Sequence, residues 1–440
     1  GDGIVPSQNV LGEWVTVDKT GTQAVPPKSA DDRTLICCVS PGSVGADGQV
    51  LDQLDQYLTS CVQAGAFPGC RVLAARAGKV FYDKSFGTTG LQATPVEPNT
   101  VYDLASITKV AATTLALMKL YDEGKLNLNA TLGTYWPACR GTDKESLLIR
   151  DIMAHQAGLK SWIPFYKETL DSTGHPDSKY YRSQSSLQFN IRVADKLFIR
   201  NDWVDSMWSR MLLSPLENKG KYVYSDIDFL FMQKVVEQIS GKPLDLFVSE
   251  NFYKPLQLKH TAFQPKRFLQ GRSIAPGEAD QYFRYQDLQG DVHDMAAAMF
   301  GGVSGHAGLF STANELGILF QMLLNGGLYD GKRYLKKETV KIFTARNSSL
   351  SRRALGFDKP EFMAGKGSPC TPEASQETFG HQGFTGTCVW ADPKNDLLYV
   401  FLSNRTYPSA DNKLITRMNI REKTQEYIYR SLGIAAGIKK

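Results

Sequence analysis

Val101–Lys109 reads Val-Tyr-Asp-Leu-Ala-Ser-Ile-Thr-Lys and opens a helix-patterned run, Val110 to Glu123. Ser106 and Lys109 stand three residues apart, roughly one helical turn, so both side chains project from one face. A serine hydroxyl is a poor nucleophile until something takes its proton. A neighbouring ammonium lowers the cost of the developing alkoxide, and a lysine made neutral by its surroundings can accept the proton. The partial positive charge of a helix N-terminus falls at the same place. This turn therefore carries the parts of an activated serine. Ser-x-x-Lys is nevertheless a short pattern, and a chain of this length holds about one or two by chance at average composition. Ser106–Lys109 is the only match in the sequence, so the rest of the chain has to decide what it means.

Composition narrows the classes. The 440 residues are 42% hydrophobic and 22% charged, with a net charge of +5. That is a globular balance, long enough for two domains or one large domain with an insertion. The absence of a Lys/Arg tract argues against nucleic acid and against anionic membrane as partners. The longest apolar stretches, such as Leu316–Leu324 with its Gln321, fall far short of a membrane span. The Gly-Asp-Gly-Ile start has no charged n-region or apolar h-region, so an export signal is expected to be absent or already removed. Seven cysteines at 37, 38, 61, 70, 139, 370 and 388, with no Cys-x-x-Cys, do not make a disulfide scaffold or a zinc ribbon. Small buried thiols are expected for most of them. Six scattered histidines without His-Glu-x-x-His give no indication of a metal site, and no cofactor is expected.

Residues 1–48 are rich in Gly, Pro, Ser and Asp and read as an extended arm or linker. Leu51–Ala66 carries a helical apolar stripe at 51, 54, 58 and 62. Arg71–Ala75 and Lys79–Phe86 flank Arg76-Ala77-Gly78, a hairpin signal. Leu147–Ala157 is helix-patterned and stops at Gly158, and Tyr224–Ile239 is helical before Ser240-Gly241. Residues 160–222 hold Trp162, Phe165, Tyr166, Tyr180, Tyr181, Trp203 and Trp208 among polar residues, read as a helical insertion with its own core, some of whose aromatics wall a pocket. Thr312-Ala-Asn-Glu315 is a capping box for Leu316–Leu324. Phe379–Trp390 and Leu397–Ser403 alternate around Asp392-Pro393-Lys394-Asn395 and read as an antiparallel hairpin, with a long helix over Ile415–Leu432. Strands at both ends with helices between predict an α/β (α+β) fold: an antiparallel sheet flanked by helices, from residues 49–140 and 300–440, beside an inserted mainly helical region, 141–299, with Ser106 in the cleft between.

Three further motifs carry chemistry. Tyr224-Ser225-Asp226 places a phenol and a carboxylate at a helix start, although Tyr-x-Asp also occurs at Tyr285–Asp287. His381-Gln382-Gly383-Phe384 lies in a strand, where Gly383 allows either a bulge or the close approach of a ligand to the backbone. Gly301-Gly-Val-Ser304-Gly-His306-Ala-Gly308 is a loop that repeats the His-x-Gly pattern, and its Ser304 and His306 are candidate substrate contacts.

In this order, Ser-x-x-Lys, Tyr-x-Asp and His-x-Gly resemble the three motifs of the serine β-lactamases and penicillin-binding proteins, the class C, Tyr-x-Asn branch above all. Local wording agrees at Gly65-Ala-Phe-Pro-Gly69, Tyr121-Asp-Glu-Gly-Lys-Leu126 and Leu148-Ile-Arg-Asp-Ile-Met-Ala-His155-Gln-Ala-Gly158, and the similarity spans about residues 48–435. The resemblance implies a β-lactamase/transpeptidase-like fold, with Ser106 as nucleophile, Lys109 as its proton partner and Tyr224 as general base. A free phenol titrates near pH 10, so Tyr224 would need Lys109 and His381 nearby. The oxyanion hole would be the N–H groups of Ser106 and Phe384, with Asp226, Gln382 and Gly383 facing substrate. The class implies an extracytoplasmic enzyme acting on small esters, D-amino-acid amides or peptidoglycan-type fragments. The arm and the Gly-His-Ala-Gly segment look like a module carried behind a family-three glycoside hydrolase, which would then be an upstream domain.

Two positions depart from the pattern. Asp226 stands where the family has Asn, so a group that donates and accepts is replaced by one that only accepts when ionised. A carboxylate there needs a partner, expected to be Lys109, a backbone N–H or a substrate cation. His381-Gln382-Gly383 replaces Lys-Thr-Gly, which predicts weak capture of a β-lactam carboxylate and poor β-lactam turnover. A true class C-type β-lactamase and a non-catalytic penicillin-binding-like sensor are the alternatives. An α/β-hydrolase would need Gly-x-Ser-x-Gly, which does not occur here.

Overall fold

Leu397–Ser403 is buried at every position, and so is Thr387–Asp392 before it. A strand with no solvent face must be covered on both sides, and that requirement organises the molecule. In the computed structural model, residues 4–9 and 14–18 are described as backbone, and residues 31–269 and 273–437 in full. Strands β1 (Ile4–Asn9), β2 (Trp14–Asp18), β3 (Ile36–Cys37), β4 (Gly69–Arg76), β5 (Lys79–Gly87), β6 (Phe379–Gly383), β7 (Thr387–Asp392) and β8 (Leu397–Ser403) form one eight-stranded sheet in the order β6-β7-β8-β4-β5-β3-β1-β2. Neighbours run antiparallel, except β3 and β5, which meet in parallel at Ile36 and Lys79. The N- and C-terminal parts of the chain thus meet where β4 pairs with β8, from Cys70–Ser403 to Arg76–Leu397.

Successive side chains of a strand point to opposite faces. Cys70, Val72, Ala74, Trp390, Tyr399 and Phe401 pack with Leu51, Leu54, Leu58 and Cys61 of the helix Gly48–Gln63 and with Ile420, Ile428 and Tyr429 of the helix Ile420–Ser431. The alternate set, Leu73, Ala75, Val389, Leu398 and Val400, joins the core that contains the helices Ala313–Leu324, Leu115–Asp122 and Asp226–Ser240. Truncating Leu398 to Ala at the centre of this core would cost about 2–5 kcal/mol.

Several elements differ from the sequence expectation. The segment 1–48 read as an arm contributes β1–β3 to the sheet edge; residues 1–3, 10–13 and 19–30 of it lie outside the described residues. The insertion 160–222 is not helical throughout. It contains the helix Asn201–Leu213 and a small sheet of Tyr181–Arg182, Ile191–Ala194 and Leu197–Ile199. The last two of these strands bracket a tight turn with Lys196 at φ 53°, so the aromatic and β-branched residues found a strand partner nearby. The helix expected over Leu147–Ala157 is confined to Ile149–Met153, because His155 takes φ 57° and turns the chain. Asn419 at φ 52° divides the C-terminal helix into Leu414–Arg417 and Ile420–Ser431. Cys37 and Cys38 are joined in a vicinal disulfide, while the other five cysteines are free and buried.

Candidate active site

Ser106 is carried on a 3₁₀ turn, Ala105–Ile107, that runs into a π-helical stretch, Lys109–Thr114, before the α-helix Leu115–Asp122 begins. The expected regular helix is therefore wound tightly and then loosely around the Ser-x-x-Lys motif, and π-turns are frequent at functional sites. Thr114 Oγ1 donates to the Lys109 carbonyl at 2.7 Å. Ala105, immediately before Ser106, sits at φ 48°, a costly conformation for a residue with a Cβ. Its N–H donates to Asp103 Oδ1 at 2.8 Å, and Asp103 Oδ2 accepts from the His293 N–H at 2.8 Å. One buried carboxylate thus ties the Ser106 turn to the far wall of the cleft.

Lys109 is fully buried, and its Nζ donates to Ser106 Oγ at 2.9 Å, Asp226 Oδ1 at 2.8 Å and the His306 carbonyl at 3.3 Å. Burial alone would lower its pKa, but Asp226 and Tyr224 outweigh that, and the ammonium is held above the usual lysine value. Of the two routes open from the sequence, the geometry therefore favours a charged Lys109 that polarises Ser106 over a neutral lysine that takes its proton. Asp226 finds the first of its expected partners. Tyr224 lies with its ring centroid 4.7 Å from Lys109 Nζ and 6.0 Å from the His381 ring.

His381 is buried on β6, and both ring nitrogens are committed: Nδ1 donates to the Gln382 carbonyl at 2.6 Å, and Nε2 accepts from Arg353 at 2.8 Å. Burial, with the Arg353 and Lys109 charges, depresses its pKa to about 3. It is a neutral imidazole at pH 7 and holds Arg353. Gln382 turns toward Glu422 at 3.4 Å. At Gly383 a Cβ would meet the Leu104 carbonyl at 2.5 Å and Thr387 Oγ1 at 2.1 Å. The close approach that glycine permits is thus that of the Ser106 turn onto β6, and Gly383 also lines the cleft beside Ser106. Phe384 is half exposed beside Ser106. Ser304 lies fully buried behind the cleft and pairs with His306 Nδ1 at 2.8 Å, so it supports His306 and does not face the cleft. His306 Nε2 reaches Asp294 Oδ1 at 2.7 Å. Burial would lower the His306 pKa, yet the Asp294 carboxylate raises it above the usual histidine value.

Asp226, Asp294 and His306 bring potential metal-ligand atoms within 4.8 Å of one another. Each is already spent on a protein partner, with the Lys109 ammonium among them, so the cluster reads as an ion-pair network. Behind Tyr224, the His155 ring lies at 4.8 Å. Its Nδ1 accepts from the Ser225 N–H at 3.1 Å and faces Asp228 Oδ2 at 2.8 Å. A ring nitrogen that accepts cannot also donate, so the shared proton belongs to Asp228, whose pKa burial pushes well up.

Ser106 stands where two arms of a cleft meet. One, of about 930 Å³, is lined by Trp162, Tyr166, Tyr282, Met295 and Phe384 with Asp226, Glu278, Asp294 and Asp411. The other, of about 550 Å³, is lined by Arg352, Arg353, Arg405, Lys413, Arg417 and Arg421 beside His381 and Gln382. The sequence did not single out the arginines, because they come from separated segments whose spacing carries no pattern. Trp162 and Tyr166 are the members of the 160–222 aromatic set that reach the cleft.

A serine, a buried lysine and a tyrosine held together between a sheet and a helical region define a class of acyl-transferring serine hydrolases. The β-lactamase family model matches residues 54–421, and the chain belongs to that family. It is 32% identical over 410 residues to a Salmonella gallinarum protein named "Putative D-alanyl-D-alanine carboxypeptidase", covering 86% of this chain and 88% of that one. Among solved structures it is similar to a penicillin-binding protein homologue from Caulobacter crescentus, with a TM-score of 0.61, 19% identity and coverage of 87% and 98% of the two chains. It is also similar to EstCE1, described as a hydrolase with promiscuous acyltransferase activity, with a TM-score of 0.61, 20% identity and coverage of 87% and 99%. Among the described residues no helix is long and apolar enough to cross a membrane.

Proposed function

We propose that this protein is a serine hydrolase that cleaves D-amino-acid peptides, and related amides or esters, whose leaving group ends in a free carboxylate. The observation that carries the reading is the cationic arm beside Ser106, lined by Arg352, Arg353, Arg405, Lys413, Arg417 and Arg421. Arg352 is forked onto Asp358, and Arg353, Arg405 and Arg421 are held by Tyr222, His381 and backbone carbonyls, so the arm acts on a carboxylate through its summed positive charge. The loss of Lys-Thr-Gly removes one carboxylate pair, and these arginines, brought in from other segments, supply another. The name carried by the Salmonella relative is consistent with this choice.

In the mechanism, Ser106 Oγ attacks the scissile carbonyl and its proton passes to Tyr224. Lys109 stays protonated and stabilises the developing alkoxide through its 2.9 Å contact. The oxyanion is received by the N–H groups of Ser106 and Phe384. As the C–N bond breaks, Tyr224 returns the proton to the leaving amine, whose carboxylate lies in the cationic arm. Water then adds to the acyl-enzyme with Tyr224 taking its proton, the ester bond to Ser106 Oγ breaks, Tyr224 returns that proton to Ser106 Oγ, and the acid is released. The acyl group occupies the larger arm, where Trp162, Tyr166 and Phe384 supply apolar surface.

The test is a kinetic panel of a peptide ending in D-Ala-D-Ala, its C-terminal amide, p-nitrophenyl acetate and a chromogenic cephalosporin. The free acid is expected to exceed its amide in kcat/KM by about tenfold or more, a difference of about 1.4 kcal/mol in transition-state binding. Equal constants for acid and amide would overturn the carboxylate reading. A cephalosporin ahead of the peptide by the same margin would make the protein a β-lactamase.

A further inference from the structure

Tyr224 has two cations beside its ring. Lys109 Nζ is 4.7 Å from the centroid, and the Arg353 guanidinium carbon is 4.9 Å from it. Both distances lie within the range in which a cation is attracted to an aromatic face. Arg353 is buried and held from three sides: Nε donates to the Tyr222 hydroxyl at 3.1 Å, one terminal nitrogen donates to His381 Nε2 at 2.8 Å, and Asp358 lies 3.6 Å away. Asp358 is itself taken by Arg352 in a two-bond fork at 2.7 and 3.1 Å. Arg353 therefore has no carboxylate to itself.

The other groups facing Tyr224 do not supply this charge. Lys109 is engaged by Asp226, which belongs to the helix that follows Tyr224. Asp228 on that helix holds the proton it shares with His155, and His155 is neutral. His381 on β6 is neutral as well, with both nitrogens occupied.

We propose that Arg353 is a positioning residue for Tyr224, holding the phenol in place and supplying next to it the second positive charge that the His-x-Gly strand lacks. His381 is the other half of this device: an uncharged acceptor whose Nε2 aims the guanidinium, where a lysine at the same position would repel it. Arg353 would thus do indirectly, through the field on Tyr224, what a cation at position 381 would do directly. The inference rests on the reading of Tyr224 as general base and adds to it a residue that lies outside the sequence motifs.

The experiment uses p-nitrophenyl acetate, which has no carboxylate, so that carboxylate binding in the cationic arm does not enter. In Arg353→Met the ascending limb of kcat/KM against pH is expected to move up by about one pH unit or more, the scale of effect of one nearby charge, with KM for the ester unchanged. Arg353→Lys is expected to retain the wild-type limb. Arg353→Met combined with His381→Lys is expected to restore it by moving the charge to the strand. An unmoved limb in Arg353→Met overturns the proposal, as does a change seen only in KM for carboxylate-bearing peptides. If Arg353→Met does not fold, the double variant carries the test, and failure of its limb to match wild type overturns the proposal. Tyr224→Phe is measured in parallel. If it acylates as fast as wild type, the base reading fails; if it is slow while Arg353→Met is unchanged, only the role of Arg353 fails.

Discussion

Ser106, Lys109, Tyr224 and Asp226 form one charge-coupled group, and each substitution in it has a distinct expected signature. Ser106→Ala should abolish covalent labelling by a fluorophosphonate or penicillin probe, read by intact mass; labelling that persists at another residue would refute the assignment. Tyr224→Phe should slow acylation by on the order of 10²–10⁴, the range for a positioned general base. Asp226→Asn keeps an oxygen for Lys109 but removes the charge. Because Asp226 is a major reason Lys109 stays protonated against burial, its loss lowers the pH at which Lys109 gives up its proton. The descending limb of kcat/KM for a neutral ester should therefore move to lower pH, and an unmoved limb would show that Lys109 does not depend on this pair. The Ser-x-x-Lys spacing was legible because residues three apart on one turn face each other whatever surrounds them. The protonation of Lys109 was not legible, because it depends on a carboxylate more than a hundred positions away in sequence.

At the scale of elements, the site is a seam between the Ser106 turn and β6. Thr385 Oγ1, in the turn after β6, donates to the Asp103 carbonyl at 2.7 Å and Thr387 Oγ1, at the start of β7, to that of Leu104 at 3.3 Å, so the β6–β7 hairpin and the Ser106 turn are directly bonded. Gly383→Ala would place a Cβ 2.5 Å from the Leu104 carbonyl. We expect a loss of stability of about 1–3 kcal/mol, the usual cost of overpacking, seen as a lower urea midpoint. Acylation should slow alongside it, because the turn is pushed away from Phe384. A variant that lost neither would mean the seam is pliable. The hairpin around Asp392–Asn395 and the apolar stripe of Gly48–Gln63 stood out in the sequence because period and turn residues are local signals. The split of the 160–222 insertion into sheet and helix did not, since short apolar runs fit either period until a partner strand is present.

At the scale of the molecule, the histidines divide by sign. His381 is depressed to about 3, so an unfolded chain would bind a proton there that the native state refuses. Its contribution is present above about pH 6.5 and is lost as pH falls below that value. Asp358, held at about 2 against burial by Arg353 and Arg352, adds to the loss at lower pH. His306 and His260 are raised by Asp294 and Glu315, so their contributions are present below about pH 6.5 and fade as pH rises through their native values. The thermal midpoint should therefore peak near neutrality. His381→Gln, which cannot titrate, should flatten the acid side, at up to about 1.4 kcal/mol per pH unit of removed dependence. An acid side as steep as in wild type would exclude His381 as its source.

The sequence by itself determined the order of the three motifs, the helix and strand periods that build a sheet from both ends of the chain, and the pairing of Ser106 with Lys109 on one turn, because all of these are written in near-neighbour spacing. Only the tertiary structure decided which charges surround Tyr224, that His381 is a neutral hydrogen-bond acceptor, and that the cleft has one acidic and aromatic arm and one cationic arm. Those properties come from side chains far apart in sequence and from burial, which acts on a charge only once the chain has closed around it.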